Sequence, residues 1–205
     1  MDLESSKDVG AIIVAAGSGA RIGGQPKQFR EFGSQPLIRW SVRALLEHPR
    51  IGRVVVVHSP DGLAAMQGAL PSFPITYTVG GATRTQSVRA GLNALSASGV
   101  RYVLIHDAAR PGLNSQTIDA LLAALDTHDG AAPGLPVSDT LKRCDETGRV
   151  IADLDRANAV RIQTPQAFRW SGLWAAYQAL SEHAEVTDDL SVAQAAGMRL
   201  TVTAG

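Results

Sequence analysis

The sequence predicts an α/β protein, with a mostly parallel twisted sheet, helices on both faces and a projecting β-hairpin arm. Three observations predict it. Short apolar runs alternate with helical stretches over most of the chain. A glycine-rich segment, residues 17–24, follows the first apolar run directly. Between Pro136 and Val160 the alternation fails, and two short polar strand candidates flank a turn signal.

The elements follow in order. Val9 to Ala16 reads as a buried strand centred on Ile12, Ile13 and Val14. Leu37 to Glu47 reads as a helix with Ile38, Val42 and Leu45 on one face, and Pro49 stands just past its end. Arg53 to His58 carries four consecutive valines, the mark of a strand covered on both faces. Asp61 to Leu70 is predicted as a short helix and Ile75 to Val79 as a strand ending at Gly80-Gly81. Thr85 to Ser96 is a helix with Val88, Leu92 and Leu95 inward, Arg101 to Ile105 a strand, and Ser115 to Leu125 a helix. After the break, Ser171 to Leu180 and Asp189 to Ala196 return to helix, and Arg199 to Thr203 is a last strand. Ligands of such sheets sit beyond the carboxyl ends of the strands. That rule selects three loops: Ala16 to Lys27, Gly80 to Ser87 and His106 to Pro111.

Thr140 to Arg143 and Arg149 to Asp153 flank Asp145-Glu146-Thr147-Gly148, a hairpin signal. The segment has too few large apolar residues for a core of its own. It is either an arm, residues 137–159, that packs on a second subunit, or a surface hairpin without a partner. Cys144 lies in it and reads as an ordinary arm residue.

The chain has 205 residues, which predicts one domain over 1–205. Nineteen Lys and Arg balance nineteen Asp and Glu, so no basic nucleic-acid footprint covers the molecule. A single cysteine excludes an internal disulfide framework and fits a reducing, cytoplasmic setting. Residues 1–7 contain Asp2 and Glu4 and no apolar core, unlike a signal peptide. The wholly apolar runs are too short to span a membrane.

The first loop reads Ala15-Ala16-Gly17-Ser18-Gly19-Ala20-Arg21-Ile22-Gly23-Gly24-Gln25-Pro26-Lys27-Gln28. Glycines let a backbone approach phosphate oxygens and aim several N–H groups at them. The dinucleotide fingerprint fails, because Ile22 holds the place of its third glycine, and this disfavours a Rossmann oxidoreductase. A P-loop fails too, because Lys27 follows Pro26. What remains is a glycine turn with two cations, Arg21 and Lys27, suited to a triphosphate and to charge growing on a phosphorus under attack. The bland alternative is a surface loop with solvated cations.

Five blocks carry a resemblance. They are the first loop with its Pro26-Lys27-Gln28, and Ile105-His106-Asp107-Ala108-Ala109-Arg110-Pro111. The others are Pro136-Val137-x-Asp139-Thr140-Leu141-Lys142, Arg156 before Gln163-Thr164-Pro165-Gln166-x-Phe168, and Thr187-Asp188-Asp189. Together, over residues 9 to 205, they resemble the 2-C-methyl-D-erythritol 4-phosphate cytidylyltransferase family. The resemblance implies a Rossmann-like nucleotidyltransferase fold. It implies transfer of CMP from CTP to methylerythritol phosphate in the non-mevalonate isoprenoid pathway, with release of pyrophosphate. It also implies Mg2+ or another divalent cation, and a homodimer joined through the arm.

By that resemblance Arg21 and Lys27 are catalytic, Lys27 at the α-phosphate and Arg21 on the pyrophosphate side. Ala15, Ala16, Gly17, Gly19, Gly81, Ser87 and Asp107 bind the nucleotide, with Gly81 and Ser87 reading the cytosine edge. Asp107 is also the candidate metal ligand; the local alternative is a strand-end aspartate that caps a turn, and the block it belongs to favours function. Thr140, Arg156 and Thr164 contact the acceptor, an arginine and two hydroxyls suited to a phosphate and a polyol. His106 reads as structural, since an attacking phosphate needs no histidine base. Arg84 is either a helix-start residue or part of the site, and Asp188 either caps a helix or lies near the metal. Two departures stand out. Ala82 and Thr83 occupy places where relatives often carry an acid. The family's C-terminal segment, with a lysine near the triphosphate, does not follow Gly205, as in a truncated form or the N-terminal half of a fusion with a cyclodiphosphate synthase. Two rivals remain: ribitol-5-phosphate cytidylyltransferase, and a non-catalytic nucleotide-binding module.

Overall fold

The computed structural model describes residues 7–17, 25–181, 184 and 186–205. Strand β1, Val9–Val14, lies between β4, Ile51–His58, and β6, Tyr102–Asp107, and is parallel to both. Beyond β4 lies β5, Thr76–Val79, also parallel. The order across the main sheet is β10-β7-β11-β6-β1-β4-β5, with β12 also paired to β7. Period-2 alternation feeds two apolar layers. Ala11 and Ile13 of β1 pack under α1, Leu37–Leu46, α2, Leu63–Ala69, and α4, Ser115–Ala124. Ile12 packs under α3, Arg84–Leu95, α5, Trp170–Ala179, and α6, Asp189–Ala195. Val54 and Val56 of β4 join the first layer and Val55 and Val57 the second, so the valine run is covered on both faces.

Four of the seven strand pairings in the main sheet are parallel, as expected of a mostly parallel sheet, and three are antiparallel. Strand β7, Gly130–Pro136, was not foreseen, nor were the antiparallel strands β10, Val160–Ile162, and β11, Gln166–Arg169. A small ribbon, β2 Glu31–Phe32 with β3 Gln35–Pro36, was also unforeseen. β7 is read poorly from sequence because small residues are needed there. A Cβ on Gly130 would stand 2.6 Å from Phe168 Cδ1 and 2.7 Å from Leu200 Cδ2. The final strand β12, Leu200–Ala204, runs parallel to β7.

The polar hairpin forms as expected. β8, Leu141–Cys144, and β9, Val150–Leu154, make a separate two-stranded ribbon. Asp145 builds its turn: Oδ1 accepts the N–H groups of Thr147 and Arg149, each at 3.0 Å. Gly148 supplies the left-handed residue at φ +85°. Val150 and Ile151 of β9 are more than half exposed.

The connection leaving β1 runs toward β4, while the one leaving β6 runs toward β7 on the other side. A crevice therefore opens between the carboxyl ends of β1 and β6, the position where open α/β sheets hold ligands. The register pairs Val14 with Asp107 and His58 with Val79, so the three loops selected from the sequence leave one edge.

Candidate active site

The first wall of the crevice is the end of β1. Ala15 continues the ladder, donating its N–H to the Val57 carbonyl at 2.8 Å. Chain continuity alone would not hold Lys27 close to it. Gln28 does so: its buried amide donates Nε2 to the carbonyls of Ala15 at 2.9 Å and Gly17 at 3.3 Å. Lys27 is the exposed first residue of the 3₁₀ turn Lys27–Phe29, which is closed by Phe29 N–H to the Pro26 carbonyl at 3.0 Å. Among the described residues Lys27 has no ion-pair partner. Gly19 and Arg21 lie outside the described residues.

The second wall is the Gly80–Ser87 turn. Gly80 N–H donates to the His58 carbonyl at 2.8 Å. A Cβ on Gly80 would lie 2.7 Å from both the Ala16 Cβ and Ser87 Oγ, so these three residues adjoin with no room to spare. Thr83 caps α3 in a reciprocal box: its hydroxyl accepts Gln86 N–H at 3.1 Å, and Gln86 Oε1 accepts the N–H groups of Ala82 at 2.8 Å and Thr83 at 3.3 Å. Ser87 Oγ donates to the Thr83 carbonyl at 3.0 Å. The Gly81 to Thr83 turn is thus held by Gln86.

The third wall is the end of β6. Asp107 Oδ2 accepts Arg110 Nε at 3.1 Å, and Oδ1 stands 3.8 Å from Arg84 Nη2. The Asp107 N–H donates to Thr164 Oγ1 at 3.2 Å. The Thr164 hydroxyl also meets His106 Nδ1 at 3.1 Å, and His106 Nε2 donates to the Arg110 carbonyl at 3.1 Å. A carbonyl only accepts, so the ring proton sits on Nε2 and Thr164 donates to Nδ1. Burial pushes the His106 imidazole down to about 4, so it is neutral near pH 7. It is a structural histidine, as expected from the sequence.

Arg84 faces inward. It is braced on Asp189, whose Oδ2 lies 2.7 Å from Nη2 and whose side chain is wholly buried. Burial would lower the Arg84 pKa, but the charge and hydrogen bond of Asp189, with the charge of Asp107, hold it above its ordinary value. Asp188 caps α6: Oδ1 accepts Ser191 N–H at 2.9 Å and Oδ2 accepts Gln166 Nε2 at 3.0 Å.

The acceptor candidates divide. Thr164 sits against Asp107. Thr140 and Arg156 line a shallow groove of about 320 Å³ along the arm, with Lys142, Asp153 and Asp155. Arg156 donates to the Ser138 carbonyl, and Lys142 pairs with Asp153 across the ribbon. Among the described residues no hydrogen bond or ion pair links this groove to Asp107 or Lys27. Sequence reasoning missed Gln28 and Arg110 as site-builders, although both stand in quoted blocks. It left the role of Arg84 open and missed its pair with Asp189, which joins positions 105 residues apart.

Among the described residues no group of three or more acidic, His or Cys side chains could hold a metal ion. Asp107 is the carboxylate in the crevice, with arginines facing both its oxygens. A single carboxylate fits a magnesium ion carried mainly by phosphates and water, not a protein-caged ion, and such an ion would share Asp107 with its two arginines.

A crevice at the switch point of a mostly parallel sheet, with Ala15 to Gly17 on one side, Gly80 to Ser87 on another and Lys27 held near by Gln28, defines an α/β nucleotidyltransferase. The particular family is given by comparison. The 2-C-methyl-D-erythritol 4-phosphate cytidylyltransferase (IspD) family model matches residues 9–205, and the chain belongs to that family. It is 43% identical over 199 residues to the 2-C-methyl-D-erythritol 4-phosphate cytidylyltransferase of Cereibacter sphaeroides, covering 95% of this chain and 87% of that one. It is 49% identical over 197 residues to the bifunctional enzyme IspD/IspF of Caulobacter vibrioides, covering 95% of this chain and 51% of that protein. The chain thus spans about half the length of the bifunctional relatives it matches. The crystal structure of 4-diphosphocytidyl-2C-methyl-D-erythritol synthase from Anaerococcus prevotii superposes with a TM-score of 0.83 at 27% identity, covering 98% of this chain and 90% of that chain. No described helix is long and apolar enough to cross a membrane.

Proposed function

We propose that this chain transfers CMP from CTP to 2-C-methyl-D-erythritol 4-phosphate. A phosphate oxygen of the acceptor attacks the α-phosphorus. The bond from that phosphorus to the bridging oxygen breaks, and pyrophosphate leaves with the electron pair. The nucleophile is already an anion, so no base is needed and the work is positioning and charge neutralisation. The observation that carries the reading is the Gln28 clamp, which fastens exposed Lys27 to the start of the glycine loop.

Lys27 serves the α-phosphate and Arg21 the leaving side. Ala15, Ala16, Gly17 and Gly19 cradle the triphosphate and nucleoside. Gly81 and Ser87 meet the base, where close packing of Gly80 against Ala16 and Ser87 favours a small pyrimidine. Asp107 would hold magnesium, which when bound neutralises triphosphate charge. Thr140, Arg156 and Thr164 orient the acceptor. Residues 9–205 form the cytidylyltransferase unit, and residues 137–159 its arm. Val150 and Ile151 are adjacent on β9 and point to opposite sides of an isolated ribbon, which favours a second subunit packed on the arm in a homodimer. CTP is a cytoplasmic metabolite, and the exposed free thiol of Cys144 suits that compartment.

The test is pyrophosphate release with magnesium, each of the four nucleoside triphosphates, and either methylerythritol phosphate or ribitol 5-phosphate. Release with CTP and methylerythritol phosphate alone is expected. Release with ribitol 5-phosphate would keep the chemistry and change the substrate. Folded protein that binds CTP but releases nothing with any pair would favour the non-catalytic module.

A further inference from the structure

Asp189 is a fully buried carboxylate in the first turn of α6. A buried charge without partners is strongly destabilising, so its contacts are constrained. Tyr177 donates its hydroxyl to Oδ1 at 2.6 Å, and Arg84 donates Nη2 to Oδ2 at 2.7 Å. The Asp189 N–H is held by Gln166 Oε1 at 3.1 Å, which fastens this end to β11. Arg84 opens α3 directly after the Thr83–Gln86 capping box, so its backbone end is fixed as well. With both ends held, the guanidinium faces Asp107, whose Oδ1 lies 3.8 Å from the same Nη2. Arg110, the other partner of Asp107, is three positions away on the same loop and half exposed. Arg84 is the partner whose place does not depend on that loop.

We infer that Arg84 is a positioning residue for the transfer reaction: braced on buried Asp189, it sets the orientation of the Asp107 carboxylate in the crevice. This rests on the reading of Asp107 as a nucleotide-site residue. It brings the Thr187-Asp188-Asp189 block into the site through a single cation. An Arg84 that served only Asp189 would be read in stability alone.

The test is a double-mutant cycle on the full chain. The turnover of CTP with methylerythritol phosphate and the calorimetric Kd for CTP with magnesium are measured for wild type, Arg84→Gln, Asp107→Asn and the double variant. Thermal unfolding is followed in parallel. Arg84→Lys keeps a cation beside Asp189 and serves where Arg84→Gln does not fold. Tyr177→Phe removes a bond to Asp189 without touching Asp107. Both Arg84 and Asp107 single variants are expected to weaken kcat/KM about tenfold or more, with the double variant within about twofold of Asp107→Asn. Tyr177→Phe is expected to lower the unfolding temperature with near-normal kcat/KM. The inference is overturned if the double variant loses the product of the single losses. It is equally overturned if Arg84→Gln and Arg84→Lys keep wild-type kcat/KM and Kd, or if Tyr177→Phe loses as much activity as Arg84→Lys. A neutral Asp107→Asn would instead remove the reading of Asp107 on which the inference stands.

Discussion

Gln28 Nε2 donates to the Ala15 carbonyl at 2.9 Å, thirteen positions back along the chain. The bond closes the loop between the first strand and the lysine that follows it. Gln28 is buried, so losing its amide leaves two carbonyls short of a donor. Gln28→Leu keeps the volume and should cost about 1–3 kcal/mol in denaturant unfolding. It should also lower kcat more than an equally destabilising core substitution such as Ile118→Val. Equal kcat in the two variants would show that the clamp does not position Lys27.

Lys27 is exposed and holds no described partner, so its loss should leave the fold intact. Lys27→Ala is expected to shift the unfolding midpoint by no more than about 2 °C. Turnover should fall by about 10²–10³-fold, the scale of one preorganised charge in a transition state. Lys27→Arg should restore part of it. A Lys27→Ala variant with near-normal pyrophosphate release would remove this lysine from the mechanism.

Gly80 is required for space, not for an unusual backbone angle. Its added methyl would meet Ala16 and Ser87 on one side and Val57 Cγ1 at 3.0 Å on another. Gly80→Ala should therefore cost about 1–3 kcal/mol of stability by overpacking. Because Ala16 and Ser87 shape the proposed base pocket, the KM for CTP should rise several-fold while the KM for the acceptor holds. Equal rises in both would point to a general distortion.

The parallel half of the sheet was legible because apolar runs and helical spacing there agree with the elements formed. The boundaries of β1, β4, β6 and α1 fall within a few residues of expectation. β7 was not legible: Gly130, Ala131, Ala132, Pro133 and Gly134 are poor strand formers, and the two glycines are required because Phe168 and Leu200 press on Gly130 and Val202 on Gly134. The site was legible where it is local, as in the glycine loop and the block around Asp107. Contacts between distant positions, Arg84 with Asp189 and Gln28 with Ala15, carry no periodic signal. Block order marked the neighbourhood; only the fold shows which atoms meet.

His106 makes stability depend on pH in a definite direction. Buried in the folded state, its imidazole is pushed down to about 4, while in the unfolded chain it titrates near about 6.5. The unfolded chain therefore takes up the proton first on acidification. The stability linked to this residue is complete above about pH 6.5 and is lost as pH falls toward 4, by about 3 kcal/mol in all. Unfolding free energies between pH 7 and 4 should fall more steeply for wild type than for His106→Gln. Parallel curves would assign the acid sensitivity to other groups.

The arm makes the sharpest demand. Arg156 lines a groove that no described contact joins to Lys27, and in the proposed homodimer the arm of one subunit would bring it to the crevice of the other. Lys27→Ala and Arg156→Ala should each be nearly inactive alone. Mixed in equal amounts and allowed to exchange, about half of the dimers carry one subunit of each kind. If Arg156 acts across the dimer, each such dimer holds one intact centre and one with both lesions. The mixture then regains about a quarter of wild-type activity. If Arg156 serves its own subunit, every centre keeps one lesion and nothing returns. Ile151→Glu should abolish the recovery by separating the subunits, with the loss visible as a smaller species in sedimentation. Recovery without any dimer in sedimentation would contradict the arm's proposed role.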